Sequence, residues 1–241
     1  YDTLANSKQT QKLLLQIFAM KVDGYRQSYP YGALPVDSSD FCANHIVLCQ
    51  RNGTEYEPVC GMKSITLSKS ETFHLRFPAF HILEGQETEK HRLALQNLIQ
   101  RAKMRGEEVA YNSSYTVDPR FKDDKEARVF FRELGIFFLT KYYDSYNIPH
   151  VIAGATLKYK IDLIKNFCGF VPIALEHENL PSFKCNPFFG EQVLLMYMNR
   201  PSEQAKQRAD EFEPLWANRI TIADTSKTRA LEQDEDIKKA A

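Results

Sequence analysis

Long apolar runs are the feature that this sequence most clearly lacks. No stretch of the 241 residues approaches the roughly 18 consecutive apolar residues of a membrane-spanning helix. The first residues, beginning at Tyr1, do not have the charged and apolar pattern of a secretory signal peptide. We therefore predict a chain with no membrane span and a cytoplasmic location.

An excess of charge of one sign is also missing. Lysine and arginine together number 31, and aspartate and glutamate together also number 31. A chain with this balance has no global electrostatic attraction to nucleic acid or to a membrane surface. We therefore predict no nucleic-acid partner.

Paired cysteines are absent as well. The five cysteines are odd in number and contain no C-x-x-C pair, which argues against a disulfide framework and against a zinc site. Cys42 and His45 have a spacing that metal ligands can have, but one isolated pair is weak evidence. We predict reduced thiols and no metal.

What the sequence does contain is enough material for a large aromatic-rich core. Its 16 phenylalanines and 12 tyrosines supply wide, flat side chains for a core or a pocket. The length suits one large α/β domain, or one domain with appendages.

The central part of the chain predicts a strand, a loop, a long helix and a second strand. Residues 109–117 alternate as a strand would, and Pro119 ends it because proline cannot donate to a ladder. Apolar residues then recur at helical spacing over residues 126–146, and residues 150–155 form a short buried strand. This order is a right-handed βαβ crossover, and ligands of open α/β sheets bind at the carboxyl ends of such strands.

The flanking segments complete an α/β pattern. The remaining predicted elements are a helix over 7–27, an irregular linker over 29–35, hairpin strands over 46–50 and 58–67, helices over 88–105, 157–167 and 202–216, a strand over 191–199, and a charged tail over 217–241. For the aromatic segment 68–85 the sequence allows two predictions, a loop that forms the wall of a site or a strand that packs on the core, and favours neither.

These elements, in this order, resemble the GCN5-related N-acetyltransferase (GNAT) superfamily, and within it the acyl-homoserine-lactone (autoinducer) synthases and the N-acyl amino acid synthases. The resemblance is carried by the strand that ends in residues 115–119, the basic loop 120–122, the long helix, and Cys168-Gly-Phe before a new strand. It implies an α/β fold with a mixed, splayed central sheet flanked by helices, an αβα sandwich. We expect this domain over residues 1–200, followed over residues 201–241 by a C-terminal helix and a charged flexible tail.

The resemblance further implies an N-acyltransferase that moves an acyl group from a thioester donor to an amine such as an amino acid or its derivative. No tightly bound cofactor is expected, and the co-substrate is acyl-CoA or the acyl-phosphopantetheine of an acyl-carrier protein, a possible partner. The predicted donor-binding residues lie at the strand end and the helix start: Val117, Asp118, Arg120, Lys122, Lys125 and Arg128. The loop 118–126 contains no glycine, unlike the usual phosphate-binding loop, which favours the carrier-protein branch over a tightly wrapped CoA. The alternative is that this loop is only a solvated helix start.

The resemblance places the amine acceptor near the acidic residues that come just before the first long strand. Its predicted catalytic residues are Asp37, Asp40, Tyr111 and His45, with the two aspartates positioning the amine and Tyr111, or a water that it holds, relaying the proton. The predicted substrate-binding residues are Lys21, Tyr25, Lys63, Asn112 and Ser113.

Simpler interpretations stay open for several of these residues. Asp37 and Asp40 could be a helix cap or an Asx-turn, and Lys21 an ordinary solvated charge. Residues 111–114 include no carboxylate where the synthases commonly place a glutamate, and Lys165 stands where the superfamily often has a tyrosine acid. A catalytically inactive acyl-thioester-binding or interaction protein on the same fold is therefore the alternative function.

Overall fold

A computed structural model of the chain describes residues 8–29, 36–53 and 55–222. The strands are β1 (Asn44–Asn52), β2 (Glu55–Thr66), β3 (Val109–Val117), β4 (His150–Thr156), β5 (Val171–Pro172), β6 (Ala174–Leu175), β7 (Glu178–Asn179), β8 (Phe183–Cys185) and β9 (Glu191–Asn199). The helices are α1 (Lys8–Ser28), α2 (Leu67–Thr72), α3 (Glu89–Met104), α4 (Lys125–Ser145), α5 (Ile161–Phe167), α6 (Glu203–Asp210) and α7 (Glu213–Ala217).

The main sheet is mixed and has the order β1-β2-β3-β4-β9-β5, with β8 also pairing with β9. Strands β1, β2 and β3 run antiparallel, β3 and β4 run parallel across the crossover helix α4, and β9 returns antiparallel to β4. Strands β6 and β7 form a separate small hairpin. The predicted mixed sheet with an antiparallel closing strand is confirmed.

The two parallel strands separate part-way along their length. Pairing between β3 and β4 stops at Asn112 and Ala153, although β3 runs on to Val117 and β4 to Thr156. The register of β3 against β2 shifts here, and Ser114 has a φ of 56°. An extra residue of this kind bends a strand and increases its twist. We call the gap between residues 113–117 and residues 154–156 the β3/β4 opening; it is the splay that the resemblance implies.

Helices cover both faces of the sheet, so the predicted αβα sandwich is confirmed. On one face α4, α5, α6 and α7 enclose a core that includes Phe137, Val151 and Met196. On the other face α3 and the segment after α2 enclose a second core that includes Leu95 and Ile152. Alternate residues of β4 point to opposite cores because successive side chains of a strand point to opposite faces. Helix α1 packs against β2 and β3.

Local signals explain where helix α4 begins and where helix α3 ends. The Asp124 carboxylate caps α4 by accepting hydrogen bonds from the backbone N–H groups of Glu126 and Ala127, at 2.9 and 3.0 Å. Helix α3 ends at Met104, and Gly106 two residues later has a left-handed φ of 64°, which allows the Glu107 N–H to donate back to the Ala102 carbonyl of the last turn.

Two predicted helices are each divided in the structure, which corrects the predictions for 157–167 and 202–216. A 3-10 turn at Leu157–Tyr159 precedes α5, and Lys160 between them has a left-handed φ of 54°. The second helix is divided into α6 and α7 next to Pro214, which has no N–H to continue the ladder.

The aromatic segment after β2 is neither the loop nor the strand that the sequence left open. It consists of α2 followed by the 3-10 helices Pro78–Leu83 and Gln86–Thr88, and it packs on the second core. Both hairpin strands are longer than predicted, since nine residue pairs join β1 to β2 from Asn44–Ser64 to Asn52–Glu55.

The end of the described chain packs on the long crossover helix. The ring of Phe137 in α4 lies 5.5 Å from that of Phe212 and 6.1 Å from that of Trp216. Phe212 and Trp216, on either side of Glu213, are therefore both part of the packing of the first core. The predicted tail from residue 223 lies outside the described residues, as do residues 30–35, which are most of the predicted linker. The division of the chain at residue 200 stays a prediction. Within the described ranges, none of the helices combines the length and apolar character needed to cross a membrane.

Candidate functional site

On the face of the sheet that helix α1 covers, which we call the α1 face, three buried charged side chains form a cluster with a fourth, Asp37, at its exposed edge. Asp40 is its centre and is only 1% exposed, while Lys21 and Lys63 are each 2% exposed. One carboxylate oxygen of Asp40 accepts a hydrogen bond from Lys21, and the other accepts from Lys63 Nζ and from the Asp37 N–H, both at 2.9 Å. The interpretation of Lys21 as an ordinary solvated charge is therefore wrong. Because Asp40 is buried and both of its carboxylate oxygens are bonded, it is suited to hold its neighbours in place and not to contact a substrate.

Asp37 differs from Asp40 because its side chain is 59% exposed. Its carboxylate caps the 3-10 helix Ser38–Phe41 by accepting from the Ser39 N–H at 2.7 Å, so the interpretation as a helix cap is confirmed. Burial opposes its ionisation, but the Lys63 ammonium, 3.2 Å away, and the Ser39 bonds outweigh burial and lower the pKa of Asp37. Asp37 is thus an ionised carboxylate at the edge of the cluster, within reach of a ligand.

His45 lies beside the same cluster and has a defined tautomer. Its Nε2 is 2.7 Å from the Asp40 carbonyl oxygen, which can only accept, so Nε2 carries the proton and Nδ1 is the basic nitrogen. Burial lowers the pKa of His45, although the Asp40 carbonyl opposes this. With Lys21, Lys63 and Ser114, His45 lines a cavity of about 10 Å³, which has room for about one water.

The two tyrosines predicted for this face keep their protons. Burial raises the pKa of Tyr25 to about 12, and its hydroxyl shares a hydrogen bond with Ser114 in the bulge of β3. Burial raises the pKa of Tyr111 still further, and its ring packs edge-on against Phe77 at 6.3 Å. A phenol with a raised pKa stays protonated near neutral pH, so Tyr111 itself is not suited to act as the base, while the relay through a water that it holds stays a prediction. Ser113 completes this face, paired in register with Lys63.

Asn112 points to the opposite face and meets a residue that was not among the predicted site residues. Its Oδ1 accepts a hydrogen bond from Lys165 Nζ at 3.1 Å, and its Nδ2 donates to the sulfur of Met62 at 3.2 Å. Lys165 is 5% exposed, and its Nζ lies 4.8 Å from the centre of the Phe170 ring. Burial lowers the pKa of Lys165 to about 8.

Lys165 combines burial with the absence of a charged partner. Among the described residues no carboxylate lies within salt-bridge distance of its ammonium, so an amide and an aromatic face are its polar contacts. A sequence signal could have found it: residues 161, 164, 165 and 168 share one helical face, and the others are apolar. A lysine on such a face is directed towards the core.

The basic loop is more fully paired than the sequence suggested. Arg120 donates to the Asp118 carboxylate at 2.8 and 3.0 Å and to Glu57 at 2.7 Å, so its guanidinium is already occupied. Lys122, Lys125 and Arg128 are exposed, whereas Val117 packs against the first core.

The start of α4 departs from the phosphate-binding helix that the resemblance implies. Its first N–H groups are bonded to the Asp124 carboxylate, and an anionic ligand would have to displace that side chain to reach them. Phosphates at this end of the molecule therefore have the exposed cations of residues 122, 125 and 128 as their available partners. No group of three or more histidine, cysteine or acidic side chains that could hold a metal occurs in the described parts of the chain.

No protein-family model and no curated protein sequence matches the chain. The chain is similar to the solved structure of BjaI, a CoA-dependent acyl-homoserine lactone synthase with SAM and isopentyl-CoA, with 13% identity over 83% of this chain and 82% of that one and a TM-score of 0.49.

Two other solved structures are similar at a lower level. They are FeeM, an N-acyl amino acid synthase from uncultured soil microbes (11% identity, 80% of this chain and 86% of that one, TM-score 0.46), and spermidine N-acetyltransferase from Vibrio cholerae with CoA and spermine (12%, 80% and 92%, 0.39). At these identities and TM-scores the likenesses establish neither an activity nor a ligand for this chain.

Proposed function

We propose that this chain is an N-acyltransferase that uses an acyl thioester as its donor and binds it at the β3/β4 opening. The observation that carries the proposal is Lys165, a buried lysine that has no carboxylate partner among the described residues and is hydrogen-bonded to Asn112 at the closed end of that opening. A buried amine with a pKa near 8 can hold a proton and release it near neutral pH, which suits acid–base chemistry.

The donor thioester in this proposal lies on the Lys165 side of the sheet. Its phosphates extend towards the exposed cations Lys122, Lys125 and Arg128 at the start of α4. Because the loop has no glycine and α4 is capped by Asp124, side-chain charges replace the helix N-terminus as the phosphate contact. This arrangement suits either acyl-CoA or the phosphopantetheine of an acyl-carrier protein.

The acceptor amine in this proposal enters from the α1 face. Asp37 is the exposed carboxylate there and would hold the incoming ammonium. Tyr25, whose hydroxyl interacts with Ser114 and Asp40, lies on the same face. Asp40 acts as a positioning residue, because its bonds to Lys63 and to the Asp37 N–H hold the 3-10 helix in place. An amino acid or a derivative of one is the acceptor class that we propose.

The proposed reaction is a direct transfer. The bound ammonium first loses one proton to solvent water, and the resulting amine nitrogen attacks the thioester carbonyl carbon. The C–S bond breaks, and the thiolate leaves with a proton from the Lys165 ammonium. The proton lost by the amine passes through a water to Nδ1 of His45, which the hydrogen bond at Nε2 leaves unprotonated. Bringing amine and thioester together across the opening supplies the remaining rate enhancement through proximity.

One feature favours a second candidate, a catalytically inactive acyl-thioester-binding protein. Strand β3 has no carboxylate over residues 111–114, and Tyr111 is held in its protonated form. Such a protein would still bind thioesters at the β3/β4 opening but would release no thiol.

Thermal unfolding with added thioesters tests the proposal. Acyl-CoAs of several chain lengths and an acyl-carrier protein would be compared with free CoA and the unacylated carrier. A ligand at 100 times its Kd stabilises the folded state by about 2.7 kcal/mol, which raises the melting temperature measurably. Intact mass spectrometry of the purified protein would detect a retained acyl or phosphopantetheine ligand. No shift with any thioester would reject both candidates, and a shift without transfer to any amine would favour the second.

A further inference from the structure

A second cavity lies at the other end of the parallel strands, between α3 and the strands β5 and β9. Its volume is about 350 Å³, which falls in the range of small-molecule sites. It is lined by residues of α3, β4, β5 and β9 and of the β6/β7 hairpin. The floor is apolar, and the polar groups come from the end of α3 and from the adjoining ends of β4 and β9.

Two of the lining residues, His150 and Tyr197, belong to a chain of three hydrogen-bonded side chains that is completed by Glu107. His150 is buried, with Nε2 2.7 Å from a Glu107 carboxylate oxygen and Nδ1 2.8 Å from the Tyr197 hydroxyl. The carboxylate can only accept, so Nε2–H donates to it. The rings of His150 and Tyr197 are stacked, with an angle of 23° between their planes. Glu107 thus fixes the orientation of His150, and His150 fixes the hydroxyl of Tyr197 at the cavity wall.

Positive charge exceeds negative charge around the cavity. Arg101 and Arg105 both line it and are exposed. Glu107 is the nearby carboxylate, and it is shared between His150 and Arg105, whose Nη1 is 3.6 Å away. Within the described residues Arg101 has no acidic partner at salt-bridge distance, so its guanidinium is available for an anion.

We propose that this cavity binds a small organic carboxylate with an apolar body. The two guanidinium groups supply the paired N–H donors that carboxylates accept best, and Asn199 adds an amide. Leu98, Pro172 and Ile173 then offer an apolar surface to the rest of the ligand.

The proposed cavity is distinct from the β3/β4 opening. His150 begins β4, and Ala153, at the start of the opening, is three residues further on, which corresponds to about 10 Å along the strand. Carboxylate binding is therefore independent of acyl transfer, and either proposal can fail without the other.

Calorimetric titration with benzoate and hexanoate tests the proposal, and benzyl alcohol and hexanol are the uncharged controls. We expect both carboxylates to bind at least tenfold more tightly than the matching alcohols. The double variant Arg101→Gln/Arg105→Gln should weaken carboxylate binding at least tenfold. The control Arg51→Gln removes an exposed arginine that donates to the Gly53 carbonyl and should leave binding unchanged.

A second variant tests the cavity independently of charge. Ala174 lines the cavity and is exposed, so Ala174→Trp would fill the mouth without crowding the core. Binding should be lost while the melting temperature stays within a few degrees of wild type. Carboxylate binding that survives both sets of substitutions, no binding at all, or inorganic phosphate binding as tightly as the carboxylates would each overturn the proposal.

Discussion

The Nζ of Lys165 lies 3.1 Å from Oδ1 of Asn112, the last residue of β3 that pairs with β4. Strand β3 thereby carries two functions at one position: its backbone closes the parallel pairing, and its side chain holds the buried lysine. An amide is a neutral partner and leaves the lysine free to gain and lose its proton, as a carboxylate would not.

Replacement of this lysine should separate binding from chemistry. We expect Lys165→Met to lower the rate of thiol release from an acyl thioester by about 100-fold or more, the usual contribution of a general acid. The donor Kd should change by less than about threefold, because methionine fills a similar space. Lys90→Met, which removes an exposed lysine from α3, is the matched control and should behave as wild type. An unchanged rate in the Lys165 variant would remove this residue from the mechanism.

The same lysine should make stability depend on pH. Burial lowers its pKa from the ordinary 10.5 to about 8, so between these values the unfolded chain binds more protons than the folded chain. The free energy of unfolding therefore rises with pH across this window. Below about pH 8 the buried lysine is protonated in the folded state, and the full loss of stability from burying its charge is present. The shift corresponds to a difference on the order of 3 kcal/mol.

Urea unfolding of wild type and Lys165→Met, from about pH 7 to about pH 10.5, measures this difference. The two proteins share their other titrating groups, so the difference between the curves isolates Lys165. Wild type should gain stability relative to the variant as the pH rises. Parallel curves would mean that the folded-state pKa is ordinary.

Replacement by asparagine should lower the stability much more at Asp40 than at Asp37, the two aspartates of the α1 face. Asp40→Asn leaves two buried ammonium groups without their central carboxylate and should cost about 3–5 kcal/mol in urea unfolding. Asp37→Asn keeps the helix cap, because asparagine caps as well as aspartate, and should cost less than about 1 kcal/mol. Its effect should instead be a raised KM for the amine. Equal losses of stability in the two variants would contradict this division of roles.

The basic loop should bind donor phosphates through its exposed cations. Lys122→Glu/Lys125→Glu should weaken acyl-CoA binding by about tenfold at low salt, and the effect should shrink as the salt concentration rises. Arg120→Gln should change the Kd by less than about twofold, because this guanidinium is occupied by Asp118 and Glu57. The reverse pattern, with loss only in the Arg120 variant, would show that the arginine leaves its partners to bind the donor.

Most of the fold could be predicted from the sequence because it depends on local periodicity. The spacing of apolar residues along α4, the proline after β3 and the glycine after α3 each signal an element or its end. The divided helices were missed because the left-handed Lys160 has no signature of its own. Pro214 is compatible with a helix when it stands in the first turn.

The site was less predictable because its contacts join distant parts of the chain. Residues 21, 40 and 63 were named individually, but that they form one buried cluster depends on how α1 packs on β2. Asn112 and Ser113 were predicted together, yet neighbouring residues of a strand face opposite sides. The Glu107–His150–Tyr197 chain was missed because it joins residues separated by 43 and 47 positions along the sequence.

Thiol release coupled to amine acylation is the measurement that tests the proposed activity most directly. Wild-type protein would be incubated with each thioester that stabilises it and with a panel of amino acids and simple amines. Free thiol would be followed with a chromogenic reagent, and the N-acyl product by mass spectrometry. The account predicts amine-dependent thiol release and N-acyl product in equal amounts, both strongly reduced in Lys165→Met. Stabilisation by a thioester with no amine-dependent release for any acceptor would contradict it.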